Sequence, residues 1–403
     1  MKIRAITLFA NTVRLARVAD LKALGALARQ VRAALAAAGY EVQTLRLATD
    51  IWPAWGDVPA GELPAQAAEL EAAVLAQGFE YLTLGPCSAR WIASLPDVLA
   101  ATRVTFASAH LLAPGARTIS GAMVRAAAEV IRVAAQIEDG FGNLRFAALT
   151  NVRPHTPFFP GAYHGGGVDG FALATEAADL AVDACAGTAD SAEVATRLTA
   201  SVQAHADRLA AAARATAAAM GLRFHGLDFS LAPYPAPEVS IGAALEALSG
   251  APLGGAGTLA AAATLASALD RAEFPRTGYC GLFLPVLEDP VLARRAAEGR
   301  LRLGELLQWS AVCGTGLDPV PLPGDASAAA IQRVLWDVAA LSARLNKPLT
   351  ARLMPLPGKV AGDPVHFDFP YFADGGVLAL DEGDAVGLLA RCEALPLRTH
   401  RRR

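Results

Sequence analysis

Nowhere in this sequence do two cysteines stand two residues apart, and the five present (Cys87, Cys185, Cys280, Cys313 and Cys392) are an odd number. That pattern fits neither a disulfide framework nor a zinc knuckle, so a reducing cytoplasm is the expected setting. Neither sign of charge dominates. A formal net charge of −3 over 403 residues, with no Lys/Arg stripe, argues against a nucleic-acid footprint. The basic stretch 398–403 reads as a solvated tail. A membrane span is not expected, because the longest uncharged window, 247–269, is mostly Ala, Gly, Ser, Thr and Pro. The apolar run after Met1-Lys-Ile-Arg4 is broken by Asn11 and Arg14, too soon for a signal peptide. No G-x-G-x-x-G follows the first strand, so neither nicotinamide nor flavin is expected.

What is present is a chain 54% hydrophobic and 18% charged, ample for a large core. Strand-like runs at 3–9, 41–47, 81–84, 103–106 and 145–149 alternate with helical periodicity at 21–38, 64–77 and 121–138. This rhythm favours parallel pairing through right-handed crossovers. Residues 172–209 read as mostly helical, and strands return at 222–233, 279–286, 348–353 and 377–380. With no Pro/Ser-rich linker between them, residues 1–397 read as one α/β domain. Asp289 before Pro290, and Ser327 before a helical run, have the pattern of helix caps.

Two stretches are poorly explained by packing. Residues 310–325 hold Cys313, three glycines, three prolines and two aspartates between helical segments, which specifies a rigid irregular loop. Residues 151–167 gather Arg153, His155, Tyr163, His164 and two phenylalanines at the end of a strand. Asp228 lies inside a strand, where a buried carboxylate needs a partner or a metal. Glu288 follows another strand's end.

The motifs Gly226-Leu-Asp-Phe-Ser-Leu-Ala-Pro, Leu284-Pro-Val-Leu-Glu-Asp, Ser310-Ala-Val-Cys-Gly-Thr-Gly-Leu-Asp, Lys347-Pro-Leu-Thr-Ala-Arg-Leu and Pro157-Phe-Phe-Pro-Gly-Ala-Tyr-His resemble a family of unknown function, DUF 711 (UPF 0210). The resemblance covers nearly the whole chain. It implies a relative of the pyruvate formate-lyase barrel: one large α/β barrel of about ten strands, with Cys313 on a central finger loop. Glycyl radical enzymes carry an Arg-Val-x-Gly-Tyr loop near the C-terminus. The nearest stretch here, Asp374-Gly-Gly-Val, lacks the arginine and the tyrosine, so radical chemistry is not expected.

Three function classes stay open. The first is a non-radical enzyme centred on Cys313, acting on a small anionic, carboxylate-bearing metabolite. His164 or His110 would be the base, and Gly314, Thr315 and Gly316 would donate to an oxyanion. Arg352 and Arg153 would grip the anion, with Lys359 and Tyr163 beside it and Asp228, Glu288 and Asp318 as further catalytic candidates. The second is a hydrolase or lyase holding a divalent metal through His164, Asp228, Glu288 and His110, without a diagnostic ligand spacing. The third is a non-catalytic metabolite-binding protein. Homo-oligomerisation is left open in all three.

Overall fold

A computed structural model describes residues 1–11, 17–51, 58–383 and 387–400. Trp52 and Trp55, which the sequence suggests as a packing plug, lie outside the described residues. The chain opens with β1 (Lys2–Phe9), α1 (Val18–Ala37), β2 (Val42–Ala48), α2 (Leu63–Leu75), β3 (Tyr81–Cys87), α3 (Leu95–Ala101) and β4 (Thr105–Leu112). After a short β5 (Thr118–Ser120) come α4 (Gly121–Ala134), β6 (Phe146–Thr150), β7 (Gly170–Glu176), α5 (Ala178–Cys185), α6 (Ser191–Met220) and β8 (Arg223–Asp228). Helices α7 (Ile241–Ser249), α8 (Thr258–Arg271), α9 (Pro290–Ala297) and α10 (Leu303–Trp309) then lead to β9 (Gly316–Pro323), α11 (Ala328–Leu345) and β10 (Leu349–Leu356). Short strands β11 (Pro364–Val365), β12 (Gly375–Gly376) and β13 (Ala394–Pro396) finish it.

The main sheet has nine strands in the order β8-β7-β1-β2-β3-β4-β6-β10-β9. The run β1-β2-β3-β4-β6 is parallel throughout, as the βαβ rhythm predicts. Direction reverses at β1/β7 and at β6/β10. The α/β class therefore holds, with nine strands in the sheet rather than about ten. Residues 279–286, expected as a strand, make isolated bridges instead: Leu231 with Leu282, and Pro285 with Asp318. Leu231 N donates to Gly281 O at 3.0 Å, Gly314 N to Leu282 O and Val286 N to Asp318 O, both at 2.9 Å. One segment thus touches both outer edges of the sheet.

β1 is buried from Ile3 onward because both its faces are covered. Ile3, Ile6 and Leu8 join the main apolar cluster with Leu24, Val31 and Leu35 of α1. On the other face, Ala5 clusters with Phe158, and Phe9 with Phe159. Both phenylalanines come from the 151–167 loop, whose residues 156–164 are all buried. The loop that enters the inner face of the sheet is therefore this one, not the one bearing Cys313.

Three sequence expectations need correction. Residues 170–176 are strand β7, not the start of a helix. Their alanines suit a helix, but Ala172 and Ala174 are small because Phe159 and Phe158 pack on them. Residues 316–323, expected as irregular loop, are strand β9, paired in parallel with β10. Proline is tolerated there because β10 is the one full strand partner of β9, and its other side accepts only single bonds, from Val286 N and Leu378 N, that need no donor from β9. Residues 377–380 form no strand; the two-residue β12 just before them pairs with β11, and Leu378 N donates to Pro321 O of β9 at 3.0 Å. The expected caps are in place: Asp289 accepts from Val291 N at 2.9 Å and Leu292 N at 3.0 Å, and Ser327 from Ala330 N at 3.1 Å. No helix among the described residues is long and apolar enough to cross a membrane.

Candidate functional site

The parallel strands β1 to β4 each direct a side chain into one partly open space. Arg4 comes from β1, Arg46 from β2, Tyr81 from β3 and Phe106 from β4. Asp318 of β9 and Arg352 of β10 reach the same space, and so does Glu288, just before the cap of α9. The cavity measures about 220 Å³.

A chain of ion pairs lines one side. Glu176 accepts from Gln43 Nε2 at 2.6 Å and from Arg4 Nη1 at 2.8 Å. Glu288 sits between two arginines, accepting from Arg4 through Oε2 and from Arg352 through Oε1, the latter at 3.0 Å. Arg352 Nε then donates to Asp318. Every member is buried. Burial works against the charge on Arg4, yet Glu288 and Glu176 hold its pKa above the ordinary value. Burial pushes the Asp318 carboxyl up, against the pull of Arg352.

Arg46 is different. Its side chain is only 9% exposed, and its Nε donates to Thr44 Oγ1 at 2.9 Å. The guanidinium carbon lies 5.4 Å from the Tyr81 ring centre and 5.3 Å from that of Phe159. No carboxylate among the described residues pairs with it. Burial, then repulsion from Arg4, pushes its pKa down to about 10. A buried cation without a directly bonded acid is costly, and its two terminal nitrogens can hold a bidentate anion.

At the C-terminal ends of the same strands lies a group of imidazoles. His164 Nδ1 is 2.6 Å from Asp50 Oδ1, and His164 N donates to Thr49 O at 2.7 Å. His155 and His225 stack at 3.6 Å with ring planes 9° apart, and Phe9 packs edge-on to both. Burial pushes His155 down to about 4 and His225 to about 3. His110, likewise down to about 4 through burial, lies edge-on to Tyr163 at 5.5 Å.

The sequence candidates therefore divide. Glu288, Asp318 and Arg352 meet in the cavity. Cys313 is 2% exposed in the main apolar cluster and does not line the cavity. The hydrogen bonds and ring contacts of His164 run to Asp50, Gly166 and His155, not to Cys313, so the expected thiol–histidine pairing is not formed. Gly314 N is already bonded to Leu282 O, Thr315 O accepts from Thr350 N at 2.6 Å, and Gly316 stands in the β9–β10 ladder. This stretch is part of the sheet, not a free oxyanion cradle. Arg153 is exposed, Lys359 lies in the turn after β10, and Tyr163 donates to Val152 O at 3.0 Å.

Asp228 is fully engaged by Ser230 Oγ at 2.6 Å, Tyr279 N at 2.7 Å and Cys280 N at 2.9 Å. It ties β8 to the following segment, while burial raises its pKa to about 6. A Cβ on Gly278 would lie 2.0 Å from Asp228 Oδ2, so the turn requires glycine. The metal candidates His164, Asp228, Glu288 and His110 each have separate surroundings. Among the described residues no His/Cys/Asp/Glu group is arranged to hold an ion. The stacked His155 and His225 could not share one either, since a metal must lie in the plane of each ring it binds.

The residues that sequence reasoning missed are Arg4, Gln43, Arg46, Tyr81 and Glu176. A signal was there: Arg4 and Arg46 are charges inside strands, the same anomaly that singled out Asp228.

Fold and site together define an α/β protein with a mostly parallel sheet and an arginine-rich, aromatic-lined internal cavity. The family profile described as "Uncharacterised ACR (DUF711)" matches residues 1–370, and the chain belongs to this family. It is 37% identical over 227 residues to a UPF0210 protein of Pyrobaculum aerophilum, covering 54% of this chain and 51% of the relative. It is 32% identical over 292 residues to one from Oleidesulfovibrio alaskensis, covering 68% and 63%. It is 30% identical over 293 residues to one from Neisseria meningitidis, covering 70% and 65%. The matches thus span about half to two thirds of these relatives' lengths.

Proposed function

We propose that this protein binds a small anionic metabolite, a carboxylate above all, in the cavity beside Arg46 and acts on it by polar, non-radical chemistry. The observation that carries this reading is Arg46 itself, a buried guanidinium whose terminal nitrogens bond no group among the described residues. Arg46 anchors the anion. Asp318, held above the usual carboxylate range by burial, is the group suited to exchange a proton with the bound molecule. Glu288 and Arg352 fix its position.

The reading thus moves the centre away from Cys313 while keeping the ligand class. It also includes a closed, pyruvate formate-lyase-like barrel, with residues 276–286 as the tenth stave. The hydrogen bonds from that segment to both sheet edges support this. Five free cysteines fit a reducing, cytoplasmic setting.

The test is thermal unfolding against a panel of acetate, succinate, benzoate and inorganic phosphate, for the natural protein and for Arg46→Met. A ligand that binds only the folded state raises Tm with concentration. The reading expects at least one of these anions to do so, and the effect to vanish in Arg46→Met. If no anion shifts Tm, the reading fails. Binding without turnover of any added acid would favour the non-catalytic form of the protein.

A further inference from the structure

We infer that the anion taken by this cavity is a single-ring aromatic monocarboxylate of about the size of benzoate; the inference rests on the reading of Arg46 as an anion anchor. Three properties of the cavity converge on that class.

The first is size. A dry cavity of about 150 Å³ accepts benzene. At about 220 Å³, this one has room for a ring and a carboxylate.

The second is lining. Aromatic residues make up only 6% of the chain, yet eight of the twenty residues around the cavity are aromatic. Phe158, Phe283, Phe369 and Tyr371 lie among them, beyond the rings that flank Arg46. Such walls favour the edges and faces of another ring over a hydrated aliphatic diacid.

The third is charge. Five arginines line the cavity, but Arg4 and Arg352 are paired with Glu176, Glu288 and Asp318. Arg145 directs its terminal nitrogens to Thr102 O at 3.0 Å and Leu99 O at 2.8 Å. Arg103 is exposed at the rim. Arg46 is left as the buried guanidinium whose terminal nitrogens are unbonded among the described residues, and that pair of donors matches one carboxylate. A second negative charge inside would face Glu288 and Asp318. Because rings flank Arg46 and Nε is bonded to Thr44, its free donors are the terminal pair, the geometry of a bidentate carboxylate.

The experiment is isothermal titration of the full chain with benzoate, benzamide, acetate, terephthalate and inorganic phosphate, with benzoate repeated on Arg46→Met. Benzoate is expected to bind most tightly, with acetate weaker by on the order of tenfold or more through the lost ring burial. Benzamide and terephthalate are expected to lose on the order of 30-fold, as is benzoate with Arg46→Met. That variant removes an unpaired charge and should fold. The selectivity of the natural protein decides the matter even if it does not. If acetate or phosphate binds as tightly as benzoate, the anion site stands and the aromatic class is overturned. If benzamide matches benzoate, Arg46 is not the anchor. If none of the anions binds, both readings fall together.

Discussion

The two ends of the parallel strands are both buried and both rich in ionisable groups, but they meet the cost of burial in opposite ways. At the cavity end, charge is kept, with Arg4 and Arg352 bridging the three acids Glu176, Glu288 and Asp318. At the other end, charge is shed: His155, His225 and His110 have pKa values pushed far enough down by burial to stay neutral. A paired network resists removal of any one member, whereas neutral stacked rings resist only acid. Arg46 and Arg145 belong to the first end yet bond no acid; the terminal nitrogens of Arg145 are taken by Thr102 O and Leu99 O, whereas those of Arg46 are bonded to nothing among the described residues.

The comparison breaks most sharply at Glu288. Glu288→Ala is expected to lower the unfolding free energy by about 3 kcal/mol, the low end for breaking a buried pair, because Glu176 and Asp318 still hold the two arginines. Urea unfolding measures this. A loss within about 0.5 kcal/mol, typical of surface positions, would mean that the network is not buried as described.

Asp228 tests the line between the two ends, being an acid that burial drives toward neutrality. Its folded pKa of about 6 stands above the unfolded carboxylate value, so the folded state binds the extra proton. This group therefore adds stability as pH falls from 6 to 4, by about 3 kcal/mol. In Asp228→Asn that gain should disappear from the difference between the two pH profiles.

The histidines slope the other way. Their folded pKa values of about 4 and 3 lie below the unfolded value, so the unfolded chain takes up protons first and stability falls as pH drops below 6.5. The double variant His155→Phe with His225→Phe should lose stability more slowly on acidification. An unchanged slope in chemical unfolding between pH 6.5 and 4.5 would show that these imidazoles are charged when folded.

The smallest effect is expected at Cys313. Cys313→Ala removes one buried sulfur and should cost about 1 kcal/mol. It should also leave benzoate affinity unchanged, since Cys313 does not line the cavity. A large loss of binding would restore the thiol to the site.

Much of this frame can be read from the sequence. The β1–α1–β2 rhythm, the caps at Asp289 and Ser327, and the choice of Glu288, Asp318 and Arg352, which the fold brings to one cavity, all follow from local patterns. What could not be read is long-range. β7 hides in alanines whose smallness answers to Phe158 and Phe159. β9 hides behind prolines that only an edge position permits. Arg46 stands out locally as a charge inside a strand, but its flanking by Tyr81 and Phe159 is long-range. Cys313 drew attention through its glycines, yet Gly314 is needed for close backbone packing: a Cβ there would lie 2.8 Å from Gly281 Cα.

The 151–167 loop has a consequence for how the chain can vary. Loops ordinarily accept insertions and deletions more readily than the elements they join. This one carries Phe158 and Phe159 to the cavity and His155 and His164 to the opposite end, all within ten residues. One residue added between His155 and Phe158, or between Phe159 and His164, would pull one set out of place. Its length is therefore as tightly constrained as the spacing of strands in the sheet.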